Sequence, residues 1–246
     1  MITQILKHVR RLRNARRFRI PFVRRATFKL PTTLRLDDQT IEIVSPCEQG
    51  AKNDFLTCFI DDEYGLSELK LPVQTILDIG ANIGFFSIAA RSYFPAARIH
   101  AYEPNPRILP FSLRNANTAQ FNLFAEAVGG VSGYVSLDDA GDSNQARTKP
   151  SFGPACGIPQ VPLATSVQRL GGQVDLAKID CEGAEWDLFA DRNAWVGIDR
   201  VHMEYHLWGK HTFAEVETSL REVGFEIYHH SSSGEWGIVW SHKIRR

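Results

Sequence analysis

Apolar runs alternate with amphipathic stretches through the middle and C-terminal parts of the chain. The run VQTILDIG (73–80) predicts a buried strand, whereas IGFFSIAARSYF (83–94) repeats its apolar positions every three or four residues and predicts a helix. The same signals recur in ARIHAYEP, NPRILPFSLRNANT, FNLFAEAVGG, VDLAKIDCEGAEWDLF, DRVHMEYH and TFAEVETSLREVG. This alternation predicts an α/β fold with a parallel sheet and helices on both faces. The closing hairpin GFEIYHH–SSSGE–WGIVW would add one antiparallel strand.

The N-terminal part of the chain and one internal segment lack this alternation. LRLDDQTIEIVSP predicts an antiparallel hairpin, and GAKNDFLTCFIDDEYGLSELK a short helix followed by a loop. Residues 131–172 are rich in Gly, Ser and Pro and predict an antiparallel excursion, GYVSLDD, with a long loop. We therefore divide the chain into a basic arm (1–30), a hairpin with a helix and loop cover (31–72) and a main domain (73–246).

A net charge of zero conceals a strong charge asymmetry. Residues 1–30 hold 10 Lys and Arg and no Asp or Glu, so the remainder carries 18 basic against 28 acidic side chains. Within the arm, Ile2, Ile5, Leu6, Val9 and Leu12 recur at helical spacing among basic residues. Three interpretations stay open: a helix docked on the acidic body of this chain or a partner subunit, a membrane-surface helix, or a nucleic-acid arm.

Composition narrows the class of protein. Apolar residues make up 43% of the chain and charged residues 23%, as in ordinary globular proteins, and no apolar run is long enough to span a membrane. The cysteines have no metal-type spacing and suggest reduced thiols; they are Cys47, Cys58, Cys156 and Cys181. We therefore expect a cytoplasmic protein. Its oligomeric state stays open, a homo-oligomer included.

The turn after the first predicted strand carries the first chemical signal. In ILDIGANIGFFS a glycine-rich bend connects a strand to a helix, where a ligand can approach the backbone closely. Asn82 stands where the NAD fingerprint has its central glycine, which disfavours a dinucleotide. Asp78 suits a ligand with positive charge, such as the sulfonium and amino acid portion of S-adenosylmethionine. Glu103, at the end of the next strand, can receive two ribose hydroxyls.

The segments LDIGANIGFFS, AYEPNP, VDLAKIDCEGAEWDLF and MEYH, in this order, resemble the FkbM family of S-adenosylmethionine-dependent methyltransferases over roughly residues 73–208. The resemblance implies a Rossmann-like class I methyltransferase fold, with seven mostly parallel strands and an antiparallel last strand. It also implies methyl transfer to a hydroxyl of a sugar, glycoside, polyketide or similar metabolite. The cofactor residues that it implies are Asp78, Gly80, Ala81, Asn82 and Gly84 at the methionine end, Glu103 at the ribose, Pro104, Asn105, Glu126 and Ala127 near the adenine, and Asp180 facing the positive charge.

Deprotonation of an alcohol calls for a base near the transferred methyl group. Candidates lie at the ends of the fourth and fifth strands; they are Asp180, Glu182 and Glu185 in KIDCEGAE, and Glu204 and His206 in MEYH. His206 is the first choice, because an unperturbed imidazole titrates near neutrality. Asp180 is the second, although it could instead cap the next helix, and Glu185 better fits a helix's first turn.

A metal ion is the alternative to a side-chain base. Asp180, Glu182, Glu204 and His206 could gather around Mg²⁺, which would lower the pKa of the acceptor hydroxyl. Their spacing does not demand a metal, so Mg²⁺ is not expected.

Three classes of function remain. A small-molecule O-methyltransferase is favoured. A nucleic-acid methyltransferase would use the basic arm, but the chain has no D/N-P-P-Y/F-type motif and no recognisable RNA-binding module, so nucleic acid is not expected. A non-catalytic interaction module would keep the fold without binding the cofactor. Tyr205, Trp208 and Trp186 could pack against a planar acceptor. The segment 140–160 could form a lid over it.

Overall fold

The computed structural model describes residues 2–22, 24–36, 38–70, 72–138, 141–151, 153 and 157–244. The strands are β1 (Thr33–Leu36), β2 (Gln39–Glu42), β3 (Thr75–Ile79), β4 (Arg98–Tyr102), β5 (Asn122–Phe124), β6 (Ala127–Gly129), β7 (Gly133–Asp138), β8 (Arg147–Pro150), β9 (Ile158–Pro162), β10 (Leu176–Ile179), β11 (Arg200–His206), β12 (Phe225–Ser232) and β13 (Trp236–Lys243). The α-helices are α1 (Ile2–Arg17), α2 (Gln49–Phe55), α3 (Phe85–Tyr93), α4 (Leu109–Ala119), α5 (Leu163–Arg169), α6 (Glu185–Leu188) and α7 (Phe213–Glu222).

A seven-stranded sheet forms the centre of the molecule, in the order β12-β13-β11-β10-β3-β4-β5. β10 pairs in parallel with β3 and β11, and the parallel pairing continues from β3 through β4 to β5. β13 is reversed, because it pairs antiparallel with both β11 and β12. The predicted fold class is therefore confirmed: an α/β, Rossmann-like, mostly parallel sheet with an antiparallel last strand.

β3 and β10 lie side by side at the centre of this sheet. Every residue of both strands is buried, as is typical of parallel strands covered on both faces. β10 includes one charged residue, Lys178, which is buried like its neighbours, with an exposed fraction of 3%. Because parallel strands end at the same edge, the residues that follow them meet there: the Asp180 amide donates to the Ile79 carbonyl at 3.0 Å. This edge carries the candidate site.

Apolar cores flank the sheet on both faces. On one face Phe55 stacks on Phe59 with ring centroids 4.6 Å apart and meets Phe85 edge-on at 5.3 Å. On the other face Trp195 packs edge-on against Phe225 at 5.9 Å. Aromatic pairs with this geometry contribute beyond the area that they bury. The two layers hold the sheet edge rigidly in place.

The N-terminal segments pack onto the first of these cores. β1 and β2 form the predicted antiparallel hairpin. α2 runs into a π-helical turn, Leu56–Asp61, and α1 packs against this turn. The Asn14 side chain donates to the Ile60 carbonyl at 3.1 Å, and the buried Phe18 ring meets Phe59 edge-on at 4.9 Å. The basic segment is thus docked on its own chain.

The segment 131–172 holds more regular structure than its composition predicts. β6, β7, β8 and β9 form a four-stranded sheet, and α5 precedes β10. The prediction of a long loop here is wrong, because Leu163, Val167 and Leu170 repeat at helical spacing and bury one face of a helix. FNLFAEAVGG likewise divides into β5 of the central sheet and β6 of the smaller one. The proposed domain boundaries stay predictions.

Two further expectations concern cysteines and membrane spans. Cys47, Cys58 and Cys181 are free thiols, whereas Cys156 lies outside the described residues. In the described ranges no helix has both the length and the apolar character needed to cross a bilayer.

Candidate active site

A cavity with about 1020 Å³ of empty space, its open mouth included, lies at the carboxyl ends of the central strands. Ten of the predicted site residues line it; they are Gly80, Ala81, Asn82, Glu103, Pro104, Glu126, Ala127, Asp180, Glu182 and Glu204. The parallel strands bring these residues together from five separate stretches of sequence. The sheet edge is the usual ligand position in such folds.

The bend after β3 depends on Gly80 for reasons internal to the protein. Gly80 has φ +72°, and a Cβ at this position would lie 1.6 Å from the Asp180 carbonyl oxygen. The glycine therefore lets the ends of β3 and β10 approach each other. Asn82 and Glu182 also have left-handed backbones, with φ +48° and +52°. Non-glycine residues in this region are strained, and such strain clusters at functional sites.

Asp78 lies beneath the cavity floor. Its carboxylate is fully buried, accepts a hydrogen bond from the Ser87 hydroxyl at 2.7 Å and lies 3.4 Å from the Lys178 ammonium. Asp78 is not among the residues that line the cavity, and its role beside the ligand's positive charge stays a prediction.

Gly84 and Asn105 also play supporting roles. Gly84, with φ +86°, precedes α3 and packs against the Phe121 ring, and Asn105 is buried. The Asn105 amide donates to the Glu103 carboxylate at 2.8 Å, which helps to fix that side chain. Both residues shape the site from behind the residues that line it.

Lys178 connects the two central strand ends and was not anticipated from the sequence. Its ammonium donates to the Gly80 carbonyl at 2.6 Å and lies 3.4 Å from both Asp78 and Asp180. Burial opposes the charged form, but Asp180 and Asp78 outweigh burial and raise the pKa of Lys178 above its ordinary value. The buried cation thus holds the glycine bend and the Asp180 carboxylate in register.

Two carboxyl groups, those of Glu103 and Asp54, accept hydrogen bonds from Asn82. The Asn82 amide donates to Glu103 at 2.7 Å, and its side-chain nitrogen donates to Asp54 at 2.6 Å. Burial raises the pKa of Glu103 to about 7. Burial, together with nearby Asp180, raises the pKa of Asp54 to about 7. Both carboxyl groups would ionise more readily beside a cation.

His206 is buried among three carboxylates. Its Nε2 atom lies 3.5 Å from both Glu182 and Glu204, and its Nδ1 atom lies 3.1 Å from Glu185. Burial opposes a charged imidazole, but the hydrogen bonds to Glu185 and Glu204 outweigh burial and raise the pKa of His206 to about 10. The ring therefore carries a proton at neutral pH. This pKa differs from the expected value near neutrality and disfavours His206 as the base, a role that stays a prediction.

The carboxylates that face His206 have the opposite property. Burial, followed by the charge of Asp180, raises the pKa of Glu204 to about 7 and that of Glu182 to about 8. Both line the cavity, so they can exchange protons with a ligand near neutral pH. Glu185 is buried at the start of α6 and accepts hydrogen bonds from the His206 and Gly183 amides. It orients His206 without reaching the cavity wall.

Asp180 faces the cavity between Lys178 and the cover. Its carboxylate accepts a hydrogen bond from the Tyr64 hydroxyl at 2.8 Å. α6 has no side-chain cap, so the alternative in which Asp180 caps the next helix is not realised. Asp180 therefore connects the sheet edge, through Lys178, to the cover, through Tyr64.

Several further cavity residues come from the cover, which the sequence analysis did not connect to the site, and from the segment 131–172, part of which it predicted as a lid. The cover contributes Asp54, Thr57, Cys58 and Tyr64, and the segment 131–172 contributes Leu137, Ser143, Asn144, Ala146 and Thr148. The acidic residues of NDF (53–55) and DDEY (61–64) interrupt a mostly apolar stretch, and they were the sequence signal that the cover contributes to the site. The lid over residues 140–160 remains a prediction; residues 140, 152 and 154–156 lie outside the described residues.

The predicted aromatic platform is distributed over different surroundings. Tyr205 is buried and its hydroxyl bonds to His230 at 2.7 Å. Trp186 donates to the His206 carbonyl at 2.8 Å and stacks on His211. Trp208 lies 4.2 Å from the His206 ring and beneath the Arg147 guanidinium. Of these three residues, Trp208 lies between Arg147 of the segment 131–172 and the His206 ring with its three carboxylate neighbours.

The polar groups that line the cavity are mostly hydrogen-bond acceptors, which suit a cationic cofactor. Six carboxyl groups line the described part of the cavity; they are Asp54, Glu103, Glu126, Asp180, Glu182 and Glu204. Asp180 lies beside Lys178, Glu126 pairs with Arg169, and Glu182 and Glu204 lie beside His206. Among the described residues, the Asn82 side-chain oxygen has no hydrogen-bond partner. These acceptors fit the sulfonium, ammonium and ribose hydroxyls of S-adenosylmethionine. Within the described part of the chain, no group of three or more His, Cys, Asp or Glu side chains is arranged to hold a metal ion.

Comparison with known proteins places this site among methyltransferases. The Methyltransferase FkbM domain family matches residues 78–227. "Methyltransferase 1" of Beauveria bassiana is 28% identical over 204 residues, which cover 69% of this chain and 78% of that protein. "31-O-demethyl-FK506 methyltransferase FkbM" of Streptomyces tacrolimicus is 34% identical over 70 residues, which cover 28% of this chain and 25% of that protein.

Solved structures give more distant similarity. Precorrin-6y C5,15-methyltransferase of Geobacter metallireducens GS-15 is 17% identical and has a TM-score of 0.47, covering 85% of this chain and 95% of that chain. The family match itself begins in β3 and ends in β12, and so includes the strand ends around the cavity.

Proposed function

The chain belongs to the FkbM methyltransferase family, and on this premise we propose that it methylates a hydroxyl oxygen of a small molecule with S-adenosylmethionine as donor. The acceptor class is a sugar, glycoside, polyketide or similar metabolite. The relative from Streptomyces tacrolimicus, whose name specifies a 31-O position, supports oxygen as the acceptor atom. Methyl transfer is the family's reaction; the acceptor and its atom are the proposal.

Bound S-adenosylmethionine supplies a methyl group already activated by a sulfonium. The chain's own residues then have three tasks: to hold the cofactor, to align the acceptor hydroxyl and to remove its proton. The Gly80 bend would hold the cofactor's methionine end, and Glu103 would hold its ribose. Asp180, fixed by Lys178 and Tyr64, faces the positive charge.

Glu204 is the group that removes the proton in this proposal. Its carboxyl lines the cavity and has its pKa raised to about 7, principally by burial, so it is ionised in part at neutral pH and basic enough to accept a proton. The protonated His206 ring, 3.5 Å away, is a positioning residue that holds Glu204 and favours its ionised form. The position of the Glu204 carboxyl at the cavity wall, 3.5 Å from the His206 ring, is the observation that carries the proposal.

Replacement of Glu204 tests this assignment. Glu204→Gln keeps the size of the side chain but cannot accept a proton, so we expect kcat to fall roughly 10²- to 10⁴-fold, with a much smaller change in cofactor affinity. The measurements are calorimetric titration with S-adenosylmethionine and transfer of a labelled methyl group to extract metabolites, with products identified by mass spectrometry.

Glu226→Gln, which changes an exposed carboxyl on β12, is the matched control. Unchanged turnover in Glu204→Gln would remove the base from the proposal. Failure of the wild-type chain to bind the cofactor would remove the proposed function itself.

A further inference from the structure

α1 presents two faces with different roles. The inner face is fixed to the body of the protein: Arg11 pairs with the buried Asp61, and the Arg17 guanidinium donates to the Ser92 carbonyl at 2.7 Å. Asn14 and Ala15 are buried on the same side. The described contacts of this face are thus polar or made by small residues, and the exposed side chains of Ile5, Val9 and Leu12 take no part in them.

The outer face carries an apolar row instead. Ile5, Val9 and Leu12 are spaced by four and three residues, so they share one side of the helix. Their exposed fractions are 56%, 56% and 44%, which are high for large apolar side chains. An exposed row of this kind on an otherwise docked helix marks an interaction surface.

Unpaired cations border the apolar row. Arg13 and Arg16 are exposed at the same side of α1 and, within the described residues, have no side-chain hydrogen bond or ion pair. α1 contains no acidic residue. We call Ile5, Val9, Leu12, Arg13 and Arg16 the α1 outer face. An apolar row bordered by cations complements a surface that carries anionic groups on the outside and apolar groups beneath them.

We propose that the α1 outer face docks the protein on the surface of an anionic lipid bilayer. The apolar row enters the boundary between head groups and acyl chains, and the flanking guanidiniums bind lipid phosphates and carboxylates. Nucleic acid would use the cations but leaves the apolar row unexplained. A second copy of the same face would bring like charges together, which opposes self-association.

Docking by this face would be reversible and peripheral. The row offers only three large side chains, and the inner face stays attached to the π-helical turn Leu56–Asp61. That turn also contributes Thr57 and Cys58 to the cavity wall. The docked helix and the cavity therefore share one structural unit, which would bring the active site to acceptors held at or near the lipid surface.

Vesicle co-sedimentation of the full chain tests the proposal. We expect binding to phosphatidylcholine vesicles that contain phosphatidylserine, and much weaker binding to pure phosphatidylcholine. The triple variant Ile5→Ser, Val9→Ser, Leu12→Ser should lose affinity on the order of tenfold or more, because the buried apolar area is removed. The double variant Arg13→Gln, Arg16→Gln should lose roughly fivefold per charge, and wild-type binding should weaken as salt is raised.

Matched variants elsewhere on the surface serve as controls. Leu113, Val131 and Val196 are equally exposed apolar residues, and Lys210 and Arg221 are exposed cations outside α1. Their Ser and Gln variants should bind vesicles like the wild type. Calorimetric titration with S-adenosylmethionine confirms that each variant is folded, since none of these residues lines the cavity.

Several results would overturn the proposal. They are absence of binding to phosphatidylserine vesicles, equal binding by the outer-face and control variants, or a change of oligomeric mass on mutating the row with vesicle binding unchanged. Salt-sensitive binding of RNA or DNA that depends on Arg13 and Arg16 but not on the apolar row, without vesicle binding, would assign the face to nucleic acid instead.

Discussion

Three carboxylates surround the His206 imidazole, and their charge decides what this side chain can do. A lone histidine titrates near neutrality and is a natural base. Here the ring lies within 3.5 Å of Glu182, Glu204 and Glu185 and has its pKa raised to about 10. In the proposed function the proton-accepting role therefore belongs to a carboxylate, and the imidazolium favours the ionised form of its carboxylate neighbours.

His206→Gln should move the pH dependence of the reaction to higher pH. Without the neighbouring positive charge the pKa of Glu204 rises further above about 7, so the base ionises later as pH increases. We expect the acidic limb of the kcat profile to shift by about one pH unit and the rate near pH 7 to fall about fivefold, with recovery at alkaline pH. The measurement is kcat against pH.

His211→Gln is the matched control for this profile. His211 stacks on Trp186, beside the cluster, but is not among the partners of Glu182 and Glu204. Its profile should match that of the wild type. If His206→Gln lowers the rate by the same factor at every pH, the ring has only a structural role.

At the scale of elements, sequence periodicity predicts most of the central fold. The apolar runs of β3, β4, β10 and β11 and the glycine bend identify strand order along the chain and the edge that carries the site. α5 was not predicted because its apolar residues follow directly after a Gly- and Pro-rich stretch, a composition that indicates a loop. β6 leaves the central sheet because its partner is β9, a pairing that local pattern does not encode.

The site residues that escaped prediction are those fixed by tertiary contacts. Lys178 stands in an apolar strand, where only the carboxylates of Asp78 and Asp180 make a buried cation acceptable. Asp54 and Tyr64 come from the cover, and nothing in their local sequence states which edge the cover meets. Burial and charge partners are properties of the assembled sheet, so they require the structure.

Asp61 joins α1 to the rest of the molecule, and its replacement should loosen this helix. The carboxylate is fully buried and pairs with Arg11 and with Arg25 at 2.6 Å. Asp61→Asn removes the charge while both guanidiniums stay partly exposed, so we expect a loss of about 1–3 kcal/mol in the free energy of unfolding. In a chain of this size that corresponds to a Tm lower by about 3–8 °C.

Differential scanning fluorimetry checks this value, and hydrogen exchange checks its location. Protection should fall in α1 and in the turn Leu56–Asp61 while the central sheet keeps its protection. Asp38→Asn, which changes a fully exposed carboxyl paired with Arg35, should leave Tm unchanged. An equal Tm for Asp61→Asn and the wild type would show that α1 is held without this pair.

At the scale of the whole molecule, the buried acids make the free energy of unfolding fall as pH rises. Burial raises the pKa values of Asp54, Glu103 and Glu204 to about 7, and that of Glu182 to about 8. In the unfolded chain these groups ionise near pH 4, so between about pH 4 and 8 the folded state retains protons that the unfolded state has lost. His206 acts in the same sense between about pH 6.5 and 10, because its pKa is also raised.

The protein without ligand should therefore lose stability steadily as pH rises from about 5 to 9, by at least about 2 kcal/mol. A cationic ligand reverses part of this loss, because it favours the ionised carboxylates that line the cavity. The Tm increase given by S-adenosylmethionine over S-adenosylhomocysteine, which lacks the sulfonium charge, should consequently grow across the same pH range. Scanning fluorimetry with each ligand measures it. A difference that stays constant or shrinks with pH would mean that the acidic cavity does not bind the donor's positive charge.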